Sequence, residues 1–272
     1  MQDTMTAPTE TPTPAPRARR SPAAVLWPLI GLVVAIAAWW LATAAFDIQT
    51  IILPSPPEVL DGFQRYPSLL LNATWDTTLN AVLGFALSVV VGVAIGTAIA
   101  AWKPFERAFA PLLVAINAVP KVALAPLMVV WFGFGTKPIL AMAFLVCFFP
   151  IVLSTATGLI STPADLAELA RSLDASRFQT FRAFRVPAAL PQIFVGLKLA
   201  MPLAVIGVSV GEMQSGATDS GLGTIIVQTS GQGDTATAFA ALVLMAVISI
   251  ILYYLLVLLE WLALPWVRAT TA

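Results

Sequence analysis

The 272-residue chain has no histidine and a single cysteine, Cys147. Without histidine there is no imidazole ligand for zinc or haem and no histidine general base, and one cysteine cannot close a disulfide within the chain. Cys147 lies in an apolar run, where a free cysteine behaves as a small buried hydrophobe. Charge is also scarce. Only 10% of residues are charged and 59% are hydrophobic, whereas soluble domains carry roughly 25% charged residues. A soluble globular domain is therefore excluded. No GxxxxGK[ST] phosphate loop occurs, so any ATP hydrolysis must be carried by another subunit. Gly207-Val208-Ser209-Val210-Gly211 has the spacing of a hydrolase nucleophile elbow, but it lies in an apolar run and lacks the histidine that such chemistry needs.

What the chain does have is a series of long apolar runs. A helix of about 20 apolar residues crosses the roughly 30 Å of bilayer hydrocarbon. Six spans are expected, at about 25–46, 75–101, 108–132, 138–160, 190–213 and 235–261. The fold expected is an all-α membrane protein with one permease-like domain over 25–267. It is preceded by a tail, 1–24, rich in Pro and Thr and too polar to form a core. The first run is too long for the apolar core of a cleaved signal peptide and is read as a retained span. Between the first two spans, Ser55-Pro56-Pro57-Glu58 reads as a capped start to a short amphipathic helix. Gly92 and Gly96 form a GxxxG that permits close helix approach, a pattern frequent in membrane helices. The third stretch is interrupted by Asn117, Pro120, Lys121 and Pro126, breaks that are tolerated at membrane depth only where protein or water satisfies the freed backbone. Residues 214–234, rich in Gly, Ser and Asp, read as an external loop with a short interfacial helix at 222–228.

The positive charges are unevenly distributed. Arg17, Arg19, Arg20, Lys103, Arg107, Arg171, Arg177, Arg182, Arg185 and Arg268 fall on one side of the six-span scheme. Arg65 and Lys137 fall on the other, among Asp47, Glu58, Asp61, Asp219 and Asp234. By the positive-inside rule both termini and the arginine-rich loop are expected on the cytoplasmic side.

That loop, 161–189, is the most informative segment. Thr162-Pro163-Ala164-Asp165 reads as a helix start, with proline at the first helical position. Leu166, Leu169, Ala170 and Leu173 then share one helical face. Asp174-Ala175 interrupts the helix. Ser176 and Gln179 form a second capping box, opening a short helix that carries Phe178, Phe181 and Phe184 beside Arg177, Arg182 and Arg185 and is expected to end before Pro187. Such a helix pair can dock aromatic knobs and arginines on a cytoplasmic partner, or it can lie on anionic lipid headgroups.

Ionisable groups in spans carry functional suspicion by default. Lys198 is expected to snorkel to the interface. For Lys121 and Glu212, pathway lining and structural pairing are both open. Together with Asn117, Pro120 and Ser209 they are the candidate translocation-pathway residues.

The loop resembles the signature of bacterial ABC importer permeases: EAA, three residues, Gly, nine residues, Ile-x-Leu-Pro. Glu168-Leu169-Ala170, Asp174 and Phe184-Arg185-Val186-Pro187 keep that spacing, with Asp174 at the family's glycine. The flanks Arg171-Ser172-Leu173, Ala175-Ser176-Arg177 and Pro187 to Pro191 are similar to the branch handling sulfonates, taurine, nitrate or pyrimidine-type precursors. So are Leu53 to Val59, Ala118 to Leu127, Trp131 to Gly135, Gly211 to Met213 and Gly221 to Gly223. The resemblance implies a six-helix type I importer permease in the bacterial inner membrane, with Glu168, Ala170, Arg171, Asp174, Ala175, Ser176, Arg177, Phe178, Phe181, Arg182 and Pro187 coupling it to an ATPase. It implies as partners an ATP-binding subunit dimer that carries ATP and Mg, an extracytoplasmic substrate-binding protein, a second permease copy and the lipid bilayer, and no nucleic acid. It implies no catalytic residue, metal or cofactor on this chain. A secondary transporter or channel working without an ATPase is the rival reading.

Overall fold

The structure is a computed structural model that describes residues 23–214 and 221–270; most of the proposed tail, with Arg17, Arg19 and Arg20, and Asp219 of the loop lie outside the described residues. Those described are mostly helical, with no strand among them. In order the helices are α1 (Ala23–Ala45), α2 (Pro56–Arg65), α3 (Pro67–Ala101), α4 (Lys103–Ala118), α5 (Ala125–Phe132), α6 (Thr136–Ile160), α7 (Ala164–Ser172), α8 (Arg177–Thr180), α9 (Val186–Gln214), α10 (Leu222–Gly231), α11 (Thr235–Ala263) and α12 (Pro265–Thr270).

Four segments are long and apolar enough to cross a membrane as single helices: Pro67–Ala101, Thr136–Ile160, Arg177–Gln214 and Thr235–Ala263. Leu29–Ala45 and Lys121–Phe132 are apolar but shorter. The expected third span, 108–132, is not one helix. α4 ends at Ala118, Val119 and Pro120 are extended, and a 3₁₀ turn at Lys121–Leu124 leads into α5. Pro120 brings no N–H to a helical ladder and disfavours the helical conformation at Val119, so the chain breaks there. Between α5 and α6, Gly133 and Gly135 take φ of 76° and 110°, angles that leave this turn to glycine. The second span begins at Pro67 rather than Trp75, because Pro67 stands in the first helical turn and Leu70 and Ala73 are already buried.

The bundle is built on α3, α6 and α9. Gly84, Gly92 and Gly96 of α3 face Ala143, Ile151 and Thr155 of α6 in ascending order, so these helices run parallel. Gly196, Gly207 and Gly211 of α9 face Ser154, Ala143 and Ile139 in the reverse order, so α9 runs antiparallel to α6. α11 is antiparallel to α9, as contacts of Ser209 with Met245 and Lys198 with Glu260 require. The GxxxG is used: a Cβ on Gly96 would lie 2.8 Å from the Val152 carbonyl oxygen. Apolar lipid gives helices little hydrophobic reason to associate, so close approach over small residues and the resulting van der Waals contact hold the bundle together. Cys147 is buried between α6 and α9, and its thiol donates to the Ala200 carbonyl at 3.2 Å.

This topology brings the C-terminal ends of α3, α6 and α11 together with residues 161–185, making an arginine-bearing end. The opposite end holds α2, α10 and the start of α11. There the Ser55 N–H donates to Glu58 at 2.7 Å, half of the expected capping box. The Thr50 hydroxyl, then the Ser55 N–H and hydroxyl, hold the Glu58 carboxyl below its ordinary range by bonding its charged form. Asp234 caps α11 by accepting from the Thr237 N–H and hydroxyl at 3.2 and 2.7 Å. It also meets Arg65 at 3.4 Å, fastening α2 to α11.

Gly207, like Gly211, meets backbone of α6, since its missing Cβ would sit 2.8 Å from the Ala143 Cα. Gly207→Leu is expected to destabilise the detergent-solubilised protein by about 3 kcal/mol. Gly231→Ala, with open space around it, should shift the thermal midpoint little.

Candidate functional site

The arginine-bearing end carries an ordered helix pair. α7 starts at Ala164, with Pro163 one position before the first helical residue and the Thr162 hydroxyl bonded back to Leu159. At its end the Ala175 N–H donates to the Ala170 carbonyl at 3.0 Å and the Asp174 N–H to that of Arg171 at 3.1 Å. These two bonds define a Schellman ending, whose pivotal residue is left-handed and usually glycine. Here it is Asp174, with φ 49°. The next helix is fixed at once, as the Ser176 N–H donates to the Gln179 side chain at 2.9 Å and the Gln179 N–H to the Ser176 hydroxyl at 3.3 Å. The expected capping box is thus present on both sides.

The second helix does not stop before Pro187. α8 passes into a π-helical stretch, Phe181–Arg185, and then directly into α9, with Val186 itself helical at φ −62°, ψ −51°. In this stretch the Val186 N–H reaches the Phe181 carbonyl five residues back. The wider turn leaves room for the proline ring and tolerates its missing N–H. The fifth span is consequently one continuous helix, Arg177–Gln214, about 57 Å long at 1.5 Å per residue.

Sequence-expected residues in this segment divide into inner and outer sets. Ala170 is buried, Phe181 packs against the cluster of Leu159, Ala189 and Ile193, and Ala175 and Pro187 are half-buried. Glu168, Arg171, Asp174, Ser176, Arg177, Phe178 and Arg182 are exposed, as is Arg185. Phe178 is 70% exposed and Leu173 64%. Glu168 and Arg171 form an exposed pair at 3.9 Å, of little energetic weight. Arg177, Arg182 and Arg185 make no ion pair with any described residue. The result is an apolar and cationic surface held in fixed geometry.

At its far end the same helix carries Glu212, which is 1% exposed. Its carboxylate accepts the Thr77 hydroxyl of α3 at 2.8 Å and the Gly223 N–H of α10 at 2.9 Å. The Thr77 oxygen in turn accepts the Leu222 N–H at 2.9 Å, and the Thr224 hydroxyl donates to the Glu212 carbonyl at 3.1 Å. A Cβ on Gly221 would collide with that carboxylate. The short helix expected to lie at the interface therefore has its first turn buried, with Thr77 accepting the Leu222 N–H and Glu212 the Gly223 N–H of that turn.

The expected pathway residues separate. Glu212 and Ser209 are both buried. The first is enclosed as described, and the Ser209 hydroxyl donates to its own helix at Val205 over 2.7 Å and touches the Met245 sulfur. Asn117, Pro120 and Lys121 remain together at the helix break, where the Lys121 ammonium donates to the Asn117 side chain at 2.8 Å and lies 6.0 Å from the Phe149 ring centre. Lys198 does not snorkel freely, since it pairs with Glu260 at 2.7 Å. Thr77 and Glu260 were not among the expected residues. An acid in a span asks for a partner, but nothing local in the sequence says where on another helix it lies.

The family model for the binding-protein-dependent transport system inner membrane component matches residues 88–262. The chain belongs to this family. Membership makes it a permease subunit of an ABC importer, a multi-pass membrane component that works with an ATPase and a substrate-binding protein. It is 37% identical to the riboflavin transport system permease RibX of Chloroflexus aurantiacus, over 88% of this chain and 91% of that protein. It is 35% identical to the formylaminopyrimidine permease ThiX of Halalkalibacterium halodurans, over 84% and 90%. Among solved structures, the permease fold is shared with an inward-facing MetNI methionine ABC transporter at a TM-score of 0.60 and 20% identity, over 72% of this chain and 95% of that one. The arginine-bearing helix pair and the Glu212 clamp both lie wholly or largely within the family match.

Two outcomes follow from this permease geometry. Thr77→Val keeps the shape but strands the Leu222 N–H and takes one donor from Glu212, which should cost about 2 kcal/mol and lower the thermal midpoint, with Thr77→Ser restoring it. Asp174→Gly should relieve about 1 kcal/mol of left-handed strain and slow hydrogen exchange of the 173–176 amides.

Proposed function

We propose that this permease forms half of the translocation pore of an ATP-driven importer and works as a homodimer. Six crossings are formed by the four long helices, α1 and the broken α4–α5 stretch. Both termini and residues 161–189 lie in the cytoplasm, and the end carrying α2 and α10 meets an extracytoplasmic binding protein. The distribution of charge between the two ends supports this orientation. The cargo is a small nutrient of the sulfonate, taurine, nitrate or pyrimidine-precursor class. The chain has no catalytic residue, metal or cofactor of its own, and ATP and Mg reside on a separate ATP-binding subunit dimer.

The observation that carries this reading is the exposed set of Phe178, Leu173, Arg177, Arg182 and Arg185, presented on a rigid helix pair. Lipid headgroups accept an amphipathic segment of many shapes, so they give no reason to hold Asp174 in a costly left-handed turn. A protein groove does, because ordering the docking element beforehand lowers the entropy lost on binding. The aromatic ring would serve as the anchor and the arginines would give charge complementarity. Because α8 continues into the fifth span, closure of the ATPase dimer would move Arg177–Gln214 as a rod and rock the bundle about a central cavity. Asn117, Pro120 and Lys121 are the residues proposed to line that cavity.

Phe178→Ala removes an exposed side chain and should leave the thermal midpoint unchanged. It is expected to weaken retention of the ATP-binding subunit during purification by about tenfold and to lower transport accordingly. A wild-type protein that never retains an ATPase in mild detergent, or a variant that transports at the wild-type rate, would overturn the coupling role.

A further inference from the structure

The ionisable groups of the spans are not treated alike. Glu212 receives the Thr77 hydroxyl and the Gly223 N–H, and Lys198 is paired with Glu260. Lys121 has no carboxylate within ion-pair distance among the described residues. Its neighbours are the Asn117 side chain at 2.8 Å and the face of Phe149. Neither neutralises an ammonium.

Its depth makes the missing counter-charge costly. Phe149 stands at about the middle of the 25-residue α6, so the ammonium over its ring lies near the midplane of a bilayer whose hydrocarbon is about 30 Å thick. A cation there is expensive unless it faces a cavity and meets an anion. The backbone around it is broken at Val119 and Pro120, a feature tolerated at this depth where the chain lines water. Asn117 is exposed in this chain, and Lys121 is half-exposed.

A second copy of the chain would bring only the same acids. The acids within the long helices are Asp76, Glu212 and Glu260. Glu212 and Glu260 are engaged as described, and Asp76 already has an interaction of its own. Glu106 stands in the first turn of α4, at the arginine-bearing end rather than at the midplane. Resting on the permease reading, we infer that Lys121, with Asn117 beside it, is a transient binding site for an oxyanion group of the transported molecule. The cargo therefore carries a carboxylate, sulfonate, nitrate or similar oxyanion. The ammonium donates to its oxygens, and the Asn117 amide is free to donate a further bond once its oxygen is released by Lys121. A single point charge gives weak, reversible binding, which suits a pathway that must also let the cargo leave.

The test uses the full chain in lipid nanodiscs, with ethanesulfonate, benzoate and nitrate as anionic probes and ethanesulfonamide and benzamide as uncharged counterparts. At about ten times its dissociation constant an oxyanion should raise the thermal midpoint by about 3 °C. The neutral probes should not. Lys121→Gln should abolish the rise, Lys121→Arg should keep it, and Arg182→Gln should leave it at the wild-type size. The inference is overturned if no anion raises the midpoint at up to about 100-fold the concentration of cargo typical for a weak site, if neutral probes act equally, or if the rise survives in Lys121→Gln. Retention of the ATP-binding subunit is measured on the same preparations. A protein that holds its ATPase but shows no anion dependence sinks this inference alone, whereas loss of the ATPase from the wild type sinks the coupling reading whatever the probes do.

Discussion

Glu212 is a charge-bearing group closed off inside an apolar bundle, and three elements must meet correctly for it to be tolerated. An unsatisfied carboxylate at such a site would cost several kcal/mol, so α3, α9 and α10 are held to the arrangement in which the Thr77 hydroxyl and the Gly223 N–H reach it. The constraint spreads outward from there. α10 cannot leave without exposing its own N–H groups; Gly221 is required because the carboxylate lies where its side chain would be, and Gly223 because the Ser209 carbonyl oxygen would lie 2.6 Å from its Cβ. The small residues along α3 and α9 are the other half of the same condition, since these hydrogen bonds are only reachable when the helix backbones approach closely.

The clamp gains meaning from what lies at the other end of its helix. Arg177–Gln214 is one rod, and its two ends are stabilised by opposite means. Glu212 is enclosed and satisfied, whereas Phe178, Arg177, Arg182 and Arg185 are exposed, the three arginines without an ion pair among the described residues. The π-helical stretch lies between them, at the point where α8 passes into α9. Extra residues in a turn loosen the regular ladder and commonly mark functional positions, so any bending of the rod is most easily accommodated there. A displacement of Phe178 would otherwise travel along an intact helix to α10.

Local patterns were legible in the sequence where their causes are local. The Ser176–Gln179 capping box, the interruption at Asp174 and the break at Pro120 each depend on residues within one turn of chain, and each is found. The expectation that a helix ends before Pro187 failed for a physical reason, because a π turn gives the ring room that an α turn denies it. The partners Thr77 and Glu212 are 135 positions apart, and Lys198 and Glu260 are 62 apart. Such pairings depend on how helices pack, which composition and periodicity do not specify. The buried start of α10 was missed for the same reason, as its glycines suggest a loop until the carboxylate they accommodate is known.

The distribution of satisfied and unsatisfied charge also marks out the groups that hold the bundle together. A membrane protein cannot carry a buried ion without a partner, so permanent partners mark groups whose job is to hold the bundle: Glu212 with Thr77 and α10, Lys198 with Glu260, Asp234 with Thr237 and Arg65. Lys121 has no carboxylate within ion-pair distance among the described residues, and it lies where the backbone is already broken. Were its role structural, an acid on α6 or α5 would be the economical solution, yet neither helix contains one. A partner that arrives and departs is the arrangement consistent with both facts, because a permanent carboxylate at that position would occupy the ammonium and close the site to anything passing through.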